Sequence, residues 1–157
     1  MNLSKHFTLE AITRSDTATR LGIDNSLPPE MVTYWTAGLV TLEAIEKAHG
    51  SDLILNSGYR CPELNRRIPG SSKTSAHTGM VKGFYSCAFD IECTDNADLF
   101  HTVKDMMQRK LIDVDQLIWE YGNDTAPAWV HVGFVYGKKM RNQLLRKRAG
   151  TKYEVWT

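Results

Sequence analysis

The stretch Cys87-Ala88-Phe89-Asp90-Ile91-Glu92-Cys93 predicts a β-strand with an acidic residue on one of its two faces. Side chains alternate between the faces of a strand, so the two cysteines share one face with Phe89 and Ile91, and we expect that face to form the core. Asp90 lies on the opposite face beside the small Ala88. A carboxylate on an otherwise apolar strand needs a polar partner or access to solvent, so the Asp90 face is the candidate location of a functional site.

A hairpin is predicted further along the chain. Apolar segments near 114–121 and 128–136 indicate two antiparallel strands, and the connecting residues 122–127 include the Gly, Asn, Asp and Pro that are typical of a hairpin loop. Alternation places His131 on the face opposite its valine neighbours. Because paired positions in a hairpin sum to a constant, Glu120 falls opposite a residue between about 129 and 131. Glu120 and His131 are therefore predicted to be neighbours at one end of the sheet.

Helical signals dominate the N-terminal part of the chain and recur between the strands. Helices are predicted after the capping residues Thr8, Ser15 or Asp16, and Asp95 or Asn96, and a longer helix opens at Pro28-Pro29. A helical turn is also predicted at 63–67, inside a long loop at 62–77. In chain order, the helix that opens at Pro28-Pro29 is the third and the helix capped by Asp95 or Asn96 is the last. The third would end near Gly50 and bury a stripe at helical spacing, namely Val32, Trp35, Leu39 and Leu42. The last would bury Leu99, Val103 and Met106 or Met107. With a short strand at 53–55, helices precede antiparallel strands, which favours an α+β domain.

Three side chains could hold a metal ion on the Asp90 face of the sheet. Zinc in a catalytic site takes three neutral or anionic protein ligands and keeps one position open. His77, Asp90 and His131 could supply these ligands, and Glu120 could take the proton from an attacking water. The spacing alone is a weak indication, because the chain lacks an HExxH motif that would fix two ligands on one helical face.

Five segments, taken together in chain order, resemble the M15 family of zinc peptidases, which includes D-Ala-D-Ala carboxypeptidases and related L,D- and D,D-peptidases. They are Ser57-Gly58-Tyr59-Arg60-Cys61-Pro62-Glu63-Leu64-Asn65, Ser75-Ala76-His77, Ala88-Phe89-Asp90-Ile91, Asp115-Gln116-Leu117-Ile118-Trp119-Glu120 and Trp129-Val130-His131-Val132. The segments His6-Phe7-Thr8-Leu9 and Thr13-Arg14-Ser15 are similar to the phage-associated, endolysin-like branch of that family. The resemblance covers most of residues 4–136.

The resemblance implies a zinc cofactor and a role for each candidate residue. The family signature SxHxxGxAxD and a later Trp-x-His strand provide the metal ligands, which here are His77, Asp90 and His131. The family arginine of Ser-Gly-Tyr-Arg corresponds to Arg60, which would bind the terminal carboxylate of a substrate through its planar fork. Glu120 would be the catalytic glutamate. Ser75 and Trp129 are further candidates for the substrate site, although Ser75 could instead shape the loop and Trp129 could instead be a packing residue.

The resemblance also implies a fold and an activity. The fold would be α+β, with N-terminal helices followed by a small antiparallel sheet that carries the zinc site, as in hedgehog-like and D,D-peptidase domains. Residues 1–157 would form one M15-type domain with a basic extension from about 138. The activity would be hydrolysis of a peptide bond next to a D-amino acid in peptidoglycan stem peptides, by a D,D- or L,D-carboxypeptidase or endopeptidase.

Two departures from the family pattern keep other classes of protein open. The family His and Asp are seven positions apart, whereas the segment between His77 and Asp90 is longer, with the extra residues within 78–87. Such an insertion could bulge out as a loop or reshape the substrate groove. Some members place the glutamate three residues before the last ligand, where this chain has Ala128. The alternatives are a non-catalytic phage structural or wall-binding protein that keeps the fold, and a zinc-free scaffold.

The length and the net charge of the chain limit the number of domains and the classes of partner to expect. A chain of 157 residues with a net charge of +1 suits one domain and gives no overall attraction to nucleic acid or anionic membranes. We expect a monomer without a signal peptide or a membrane-spanning segment, made in the cytoplasm and acting on the cell wall after phage lysis or as a virion component. The three cysteines are expected to fill core space. The basic residues that crowd the C-terminal part are expected to form a solvated face: Lys138, Lys139, Arg141, Arg146, Lys147 and Arg148.

Overall fold

The computed structural model describes residues 1–157 and places helices against a seven-stranded sheet. The helices are α1 Leu9–Thr13, α2 Asp16–Leu21, α3 Val32–His49, α4 Pro62–Arg67 and α5 Asn96–Gln108, with 3-10 turns at Pro29–Met31 and Ala76–Thr78. The strands are β1 Ile54–Ser57, β2 Met80–Val81, β3 Phe84–Glu92, β4 Gln116–Glu120, β5 Trp129–Val135, β6 Gln143–Lys147 and β7 Glu154–Val155. None of the helices has the length and apolar character needed to cross a bilayer. The predicted α+β class is confirmed, although the sheet is larger than predicted.

The sheet is mixed rather than wholly antiparallel. Its strand order is β1-β3-β5-β4-β6-β7, and β2 pairs with the start of β3. All neighbours run antiparallel except β4 and β6, which run parallel. The sequence predicted the four strands β1, β3, β4 and β5, and it missed the other three because β2 and β7 have only two residues each and β6 lies in a basic segment.

The two faces of the sheet have different roles. On one face, Phe89, Leu117 and Val132 are fully buried in the main hydrophobic cluster, against which α3 and α5 pack. On the other face, Asp90 of β3 pairs with His131 of β5, and His131 in turn pairs with Ile118 of β4. Cross-strand partners point to the same side, so the predicted separation of a core face from a polar face is confirmed.

The residues that the sequence predicts to cap the first two helices do cap them. Thr8 accepts a hydrogen bond from the Ala11 amide at 3.1 Å, and Ser15 accepts one from the Ala18 amide at 3.2 Å. These contacts satisfy amides that would otherwise lack partners at the helix starts. In α3 the predicted stripe is fully buried at Trp35, Leu39 and Leu42, whereas Val32, at its first turn, is only half-buried.

The inserted segment between His77 and Asp90 forms a hairpin. Met80 pairs with Tyr85 and Val81 with Phe84, so β3 begins at Phe84 rather than at the predicted residue 87. Lys82 and Gly83 connect the strands with φ values of 50° and 83°. Positive φ at both central residues is what a two-residue type I′ turn requires. The extra residues therefore lengthen β3 and project a short ribbon from the sheet, while both ends of the segment stay fixed.

The basic C-terminal part is not a plain solvated face. Residues 143–147 and 154–155 add two strands to the sheet. Acids from elsewhere in the fold pair with this segment: Asp115 binds Arg141 in a bidentate arrangement, and Asp124 lies 2.6 Å from Arg146. The sequence shows a run of positive charge, whereas the fold distributes matching negative charge along it.

Candidate metal centre and its cleft

Three polar side chains from three different elements converge on one point. His77 comes from the 3-10 turn at Ala76–Thr78, Asp90 from β3 and His131 from β5. His77 Nε2 lies 3.3 Å from His131 Nδ1 and 3.3 Å from Asp90 Oδ1, and His131 Nδ1 lies 2.9 Å from Asp90 Oδ1. One ligand atom from each residue lies within 4.8 Å of the others. Ligands about 2.0–2.1 Å from a tetrahedral zinc ion lie roughly 3.3 Å apart, so this group fits such an ion.

The tautomer of the neutral His77 ring is set by a neighbour outside the cluster. Its Nδ1 lies 2.6 Å from the carbonyl oxygen of Gly58, to which it donates a hydrogen bond. That bond leaves Nε2 unprotonated and directed at Asp90 and His131, which is the arrangement that metal-binding histidines use. Glycine is needed here because a Cβ at Gly58 would lie 2.6 Å from the carbonyl oxygen of Ile12. The loop can therefore approach α1 closely enough to present its carbonyl.

The turn that carries His77 is fixed on both sides. Ser75 accepts a hydrogen bond from the His77 amide at 3.3 Å and so caps the turn. Ser86 of β3 donates to the carbonyl of Ala76 at 3.0 Å. Ser75, predicted as a substrate-binding residue, thus has a structural contact as well as a position in the lining of the cleft.

The charges of the cluster suit a divalent cation. Burial opposes ionisation of Asp90. Electrostatic attraction and hydrogen bonding to His77 and His131 favour the carboxylate more strongly, and they hold the pKa of Asp90 well below its usual range. Burial lowers the pKa of His77, which favours the neutral imidazole despite the nearby Asp90. Two imidazole nitrogens and one carboxylate are a ligand set that zinc accepts.

Arg60 lies against the same carboxylate. Its Nη2 is 3.4 Å from Asp90 Oδ2, and its backbone amide donates to the His77 carbonyl at 2.9 Å. Burial lowers the pKa of Arg60, and the charges of Asp90 and Glu120 counteract that effect. Arg60 Nε is buried without a hydrogen-bond partner. A guanidinium with an unused donor can bind an additional acceptor, and a carboxylate matches its geometry.

Glu120 lies on the same face at the end of β4. It pairs with Trp129, while Ile118 pairs with His131, so Glu120 is the diagonal neighbour of His131 as predicted. Its carboxyl group is buried, and burial raises its pKa to about 6 although His131 and Arg60 act in the opposite direction. A carboxylate with a pKa near neutrality can accept a proton and return it at moderate pH.

An open cleft of about 620 Å³ joins these groups. The predicted site residues all line it, namely Arg60, Ser75, His77, Asp90, Glu120, Trp129 and His131. Trp129 packs against Tyr121 at a centroid distance of 5.1 Å, and its Nε1 has no partner within the protein. The other histidines lie elsewhere: His6 contacts Glu46, His49 contacts Asp98, and His101 packs against aromatic rings.

Two kinds of residue around the cleft were not predicted from the sequence. Asn25 is buried and braces the loop of Arg60, donating to the carbonyl of Tyr59 at 3.0 Å and accepting from the amide of Cys61 at 2.7 Å. Lys82 from the inserted hairpin and Tyr153 from the C-terminal segment line the cleft itself. No local pattern marks these positions, because their relation to the site arises only from the fold.

The fold and the site together define a candidate metallohydrolase: an α+β domain in which a buried His-Asp-His group and a buried carboxylate face an open cleft. The family model described as Peptidase M15 matches residues 5–133, and the chain belongs to this family of peptidases. No curated protein and no solved structure matches the chain. The family places the chain among metallopeptidases, and the matched range ends before β6 and β7.

Proposed function

We propose that this protein is a zinc peptidase that hydrolyses a peptide bond next to a D-amino acid in the stem peptides of bacterial peptidoglycan. The observation that supports this most directly is the convergence of His77, Asp90 and His131 within 4.8 Å in the lining of an open cleft. Membership of the peptidase M15 family supports a hydrolase over a wall-binding or structural protein. The resemblance of the motifs to D-Ala-D-Ala peptidases supports the substrate class.

The three clustered residues would hold the zinc ion. A zinc ion in this position supplies Lewis acidity, which lowers the pKa of water toward about 7 and polarises the scissile carbonyl. The hydrogen bond from His77 to the Gly58 carbonyl orients its ring before any ligand arrives. Asp90 would contribute the negative charge of the site, since its pKa is held low in the folded protein.

Glu120 would transfer the protons. As the buried carboxylate next to His131, it accepts a proton from the attacking water and then delivers it to the leaving amine. Its raised pKa, about 6, suits both steps because the group is a base above that pH and its protonated form is a competent acid. Ala128, three residues before His131, cannot take this role, so Glu120 is the residue to test.

Arg60 would bind a carboxylate of the substrate. Its side chain is buried in the lining of the cleft, and its guanidinium carries more N–H donors than its one contact with Asp90 uses. In a carboxypeptidase the acceptor is the terminal carboxylate of the stem peptide. In an endopeptidase the same arginine would contact another oxygen of the peptide.

Digestion of purified muropeptides, followed by mass spectrometry, tests the proposal. Wild type loaded with zinc is expected to release a D-amino acid or to cut a cross-link, and the product masses identify the bond. Glu120→Gln is expected to keep its zinc and to lose at least about 100-fold in rate, as loss of a general base does. Glu63→Gln, on the exposed side of α4, is the matched control. Intact muropeptides with zinc-loaded wild type would contradict the proposed function.

A further inference from the structure

The segment after β5 brings a tyrosine to the cleft. Tyr153 lines the same cleft as Arg60 and Glu120, and 48% of its surface is exposed. It lies beyond residues 5–133, the part of the chain that the family model matches. Family membership therefore assigns Tyr153 no role.

The position of Tyr153 is fixed by the sheet rather than by a free tail. β6 runs parallel to β4, with Lys147 opposite Glu120, and β7 pairs with β6. The turn between them is closed by the Lys147 Nζ contact with the Thr151 carbonyl and by the Thr151 amide, which donates to the Arg148 carbonyl at 3.3 Å. These contacts hold the residue before β7 at the end of β4, where Glu120 lies.

An aromatic anchor fastens the far end of the same segment. Trp156 packs against Phe100 at a centroid distance of 5.2 Å and against Trp119 at 6.5 Å. Its backbone amide donates to the Leu144 carbonyl at 3.0 Å, and Lys104 Nζ lies 5.1 Å from its ring centroid. With Trp156 seated on α5 and β4, the chain two to three residues earlier cannot swing away from the cleft without breaking this packing.

The phenol of Tyr153 is a free donor. Burial and the charges of Glu120 and Asp90 raise the pKa of Tyr153 to about 12, and its hydroxyl makes no hydrogen bond to another residue. The ring itself has a neighbour, since Lys147 Nζ lies 5.4 Å from its centroid. A tyrosine with a supported ring and an unengaged hydroxyl at a polar cleft can contribute a hydrogen bond to a bound molecule.

We propose that Tyr153 is a substrate-binding residue that donates a hydrogen bond from its phenol to an oxygen of the peptide bound in the cleft. The proposal rests on the proposed peptidase function and adds a contact from the C-terminal strands to it. Arg60 and Tyr153 would then be two donors that line the same cleft, one charged and buried, the other neutral and at the surface. The neutral donor suits a peptide carbonyl, because it adds no charge next to Glu120.

Steady-state kinetics on a purified stem peptide, with zinc-loaded full-length protein, tests the contact. Tyr153→Phe keeps the ring and removes only the hydroxyl, and we expect kcat/KM to fall about fivefold, as loss of one neutral hydrogen bond does. Tyr153→Ala should lower kcat/KM further because it removes the aromatic ring as well. Tyr34→Phe removes a tyrosine hydroxyl outside the cleft and should leave kcat/KM within twofold of wild type.

Zinc content and thermal unfolding separate a substrate contact from a structural one. Tyr153→Phe is expected to bind one zinc per chain and to unfold at the wild-type temperature. If its kcat/KM stays within twofold of wild type, or if it falls only together with zinc content or melting temperature, the proposal is wrong. If the zinc-loaded wild type cleaves no muropeptide, the peptidase function is wrong. If wild type and Tyr153→Phe turn over equally well, only the Tyr153 contact is wrong.

Discussion

Asp90 and His131 are direct partners across the antiparallel strands β3 and β5, and Asp90 Oδ1 lies 2.9 Å from His131 Nδ1. Both strands lie inside the sheet, with β1 and β4 as their outer neighbours. The distance between the two side chains is therefore set by sheet register and not by a flexible loop. His77 is the member of the group that comes from a loop, and its turn is tied to β3 through Ser86.

His77→Ala is expected to weaken zinc binding by more than about 100-fold. Loss of a neighbour that merely orients a ligand costs roughly 10–100-fold, so loss of a ligand should cost more. Competition with a chelating dye, read at constant pH, measures the affinity. His101→Ala is the matched control, because His101 lies among aromatic rings outside the cleft. Equal zinc affinity in His77→Ala and wild type would exclude His77 from the ligand set.

The positions of the candidate residues could be predicted from the sequence where the secondary structure is regular. The face of Asp90 in β3 and the approach of Glu120 to His131 both follow from strand alternation and hairpin register, and the structure has them as predicted. The capping residues Thr8 and Ser15 were also identifiable, because the hydrogen bonds of a helix start are local. These features depend on residues close in sequence or paired across one hairpin.

The features that sequence reasoning missed depend on distant parts of the chain. The parallel pairing of β6 with β4 joins segments that no short turn connects, and the basic residues of β6 gave no strand signal. Asn25 braces the Arg60 loop across a separation of more than 30 residues. The inserted hairpin is a local exception: it turns at Lys82-Gly83 without the Asn-Gly or Asp-Gly pair that marks a type I′ turn in sequence.

The pH dependence of turnover should report Glu120. Burial raises its pKa to about 6, so below that pH the group is protonated and cannot accept a proton from water. We expect log kcat/KM to fall by about one unit per pH unit on the acid side, with the limb at or below pH 6 because a bound cation would lower the pKa of Glu120 from its raised value. A rate profile from pH 4 to 9 at constant ionic strength measures it. A flat profile between pH 4 and 6 would contradict this role.

Gly133→Ala is expected to lower zinc affinity more than it lowers the stability of the fold. A Cβ at this position would lie 3.2 Å from Nε2 of His131, so the imidazole must shift by a few tenths of an ångström. Zinc affinity should fall about tenfold, the scale of losing an orienting contact. Gly38→Ala is expected to lower stability and to leave zinc affinity unchanged. Its Cβ would lie 2.6 Å from Cys87 Sγ in the core, and such overpacking costs about 1–3 kcal/mol of stability. Paired zinc titration and thermal unfolding distinguish the two.

Lys82→Glu is expected to weaken substrate binding without affecting zinc. Lys82 is exposed at the tip of the inserted hairpin and lines the cleft, where it can attract the carboxylates of a stem peptide. An exposed charge pair contributes about 0.2–1 kcal/mol, so KM should rise roughly two- to five-fold at low salt, and the effect should shrink as salt is added. Lys47→Glu, on the exposed side of α3, is the control of equal charge change. An unchanged KM at low salt would mean that the hairpin does not contact the substrate.

Trp156→Ala is expected to lower turnover although Trp156 lies outside the cleft. Its packing on Phe100 and Trp119 holds β7 in place, so its loss should release Tyr153 and reduce kcat/KM about as much as Tyr153→Ala. Because both changes remove the same contact with the substrate, the double variant should lose little more than either single variant, which a double-mutant cycle detects. Zinc content should stay at one per chain in all three. If the losses in kcat/KM of the two single variants add up in the double variant, Trp156 and Tyr153 act independently. A single shared contact can be lost only once, so it cannot give additive losses.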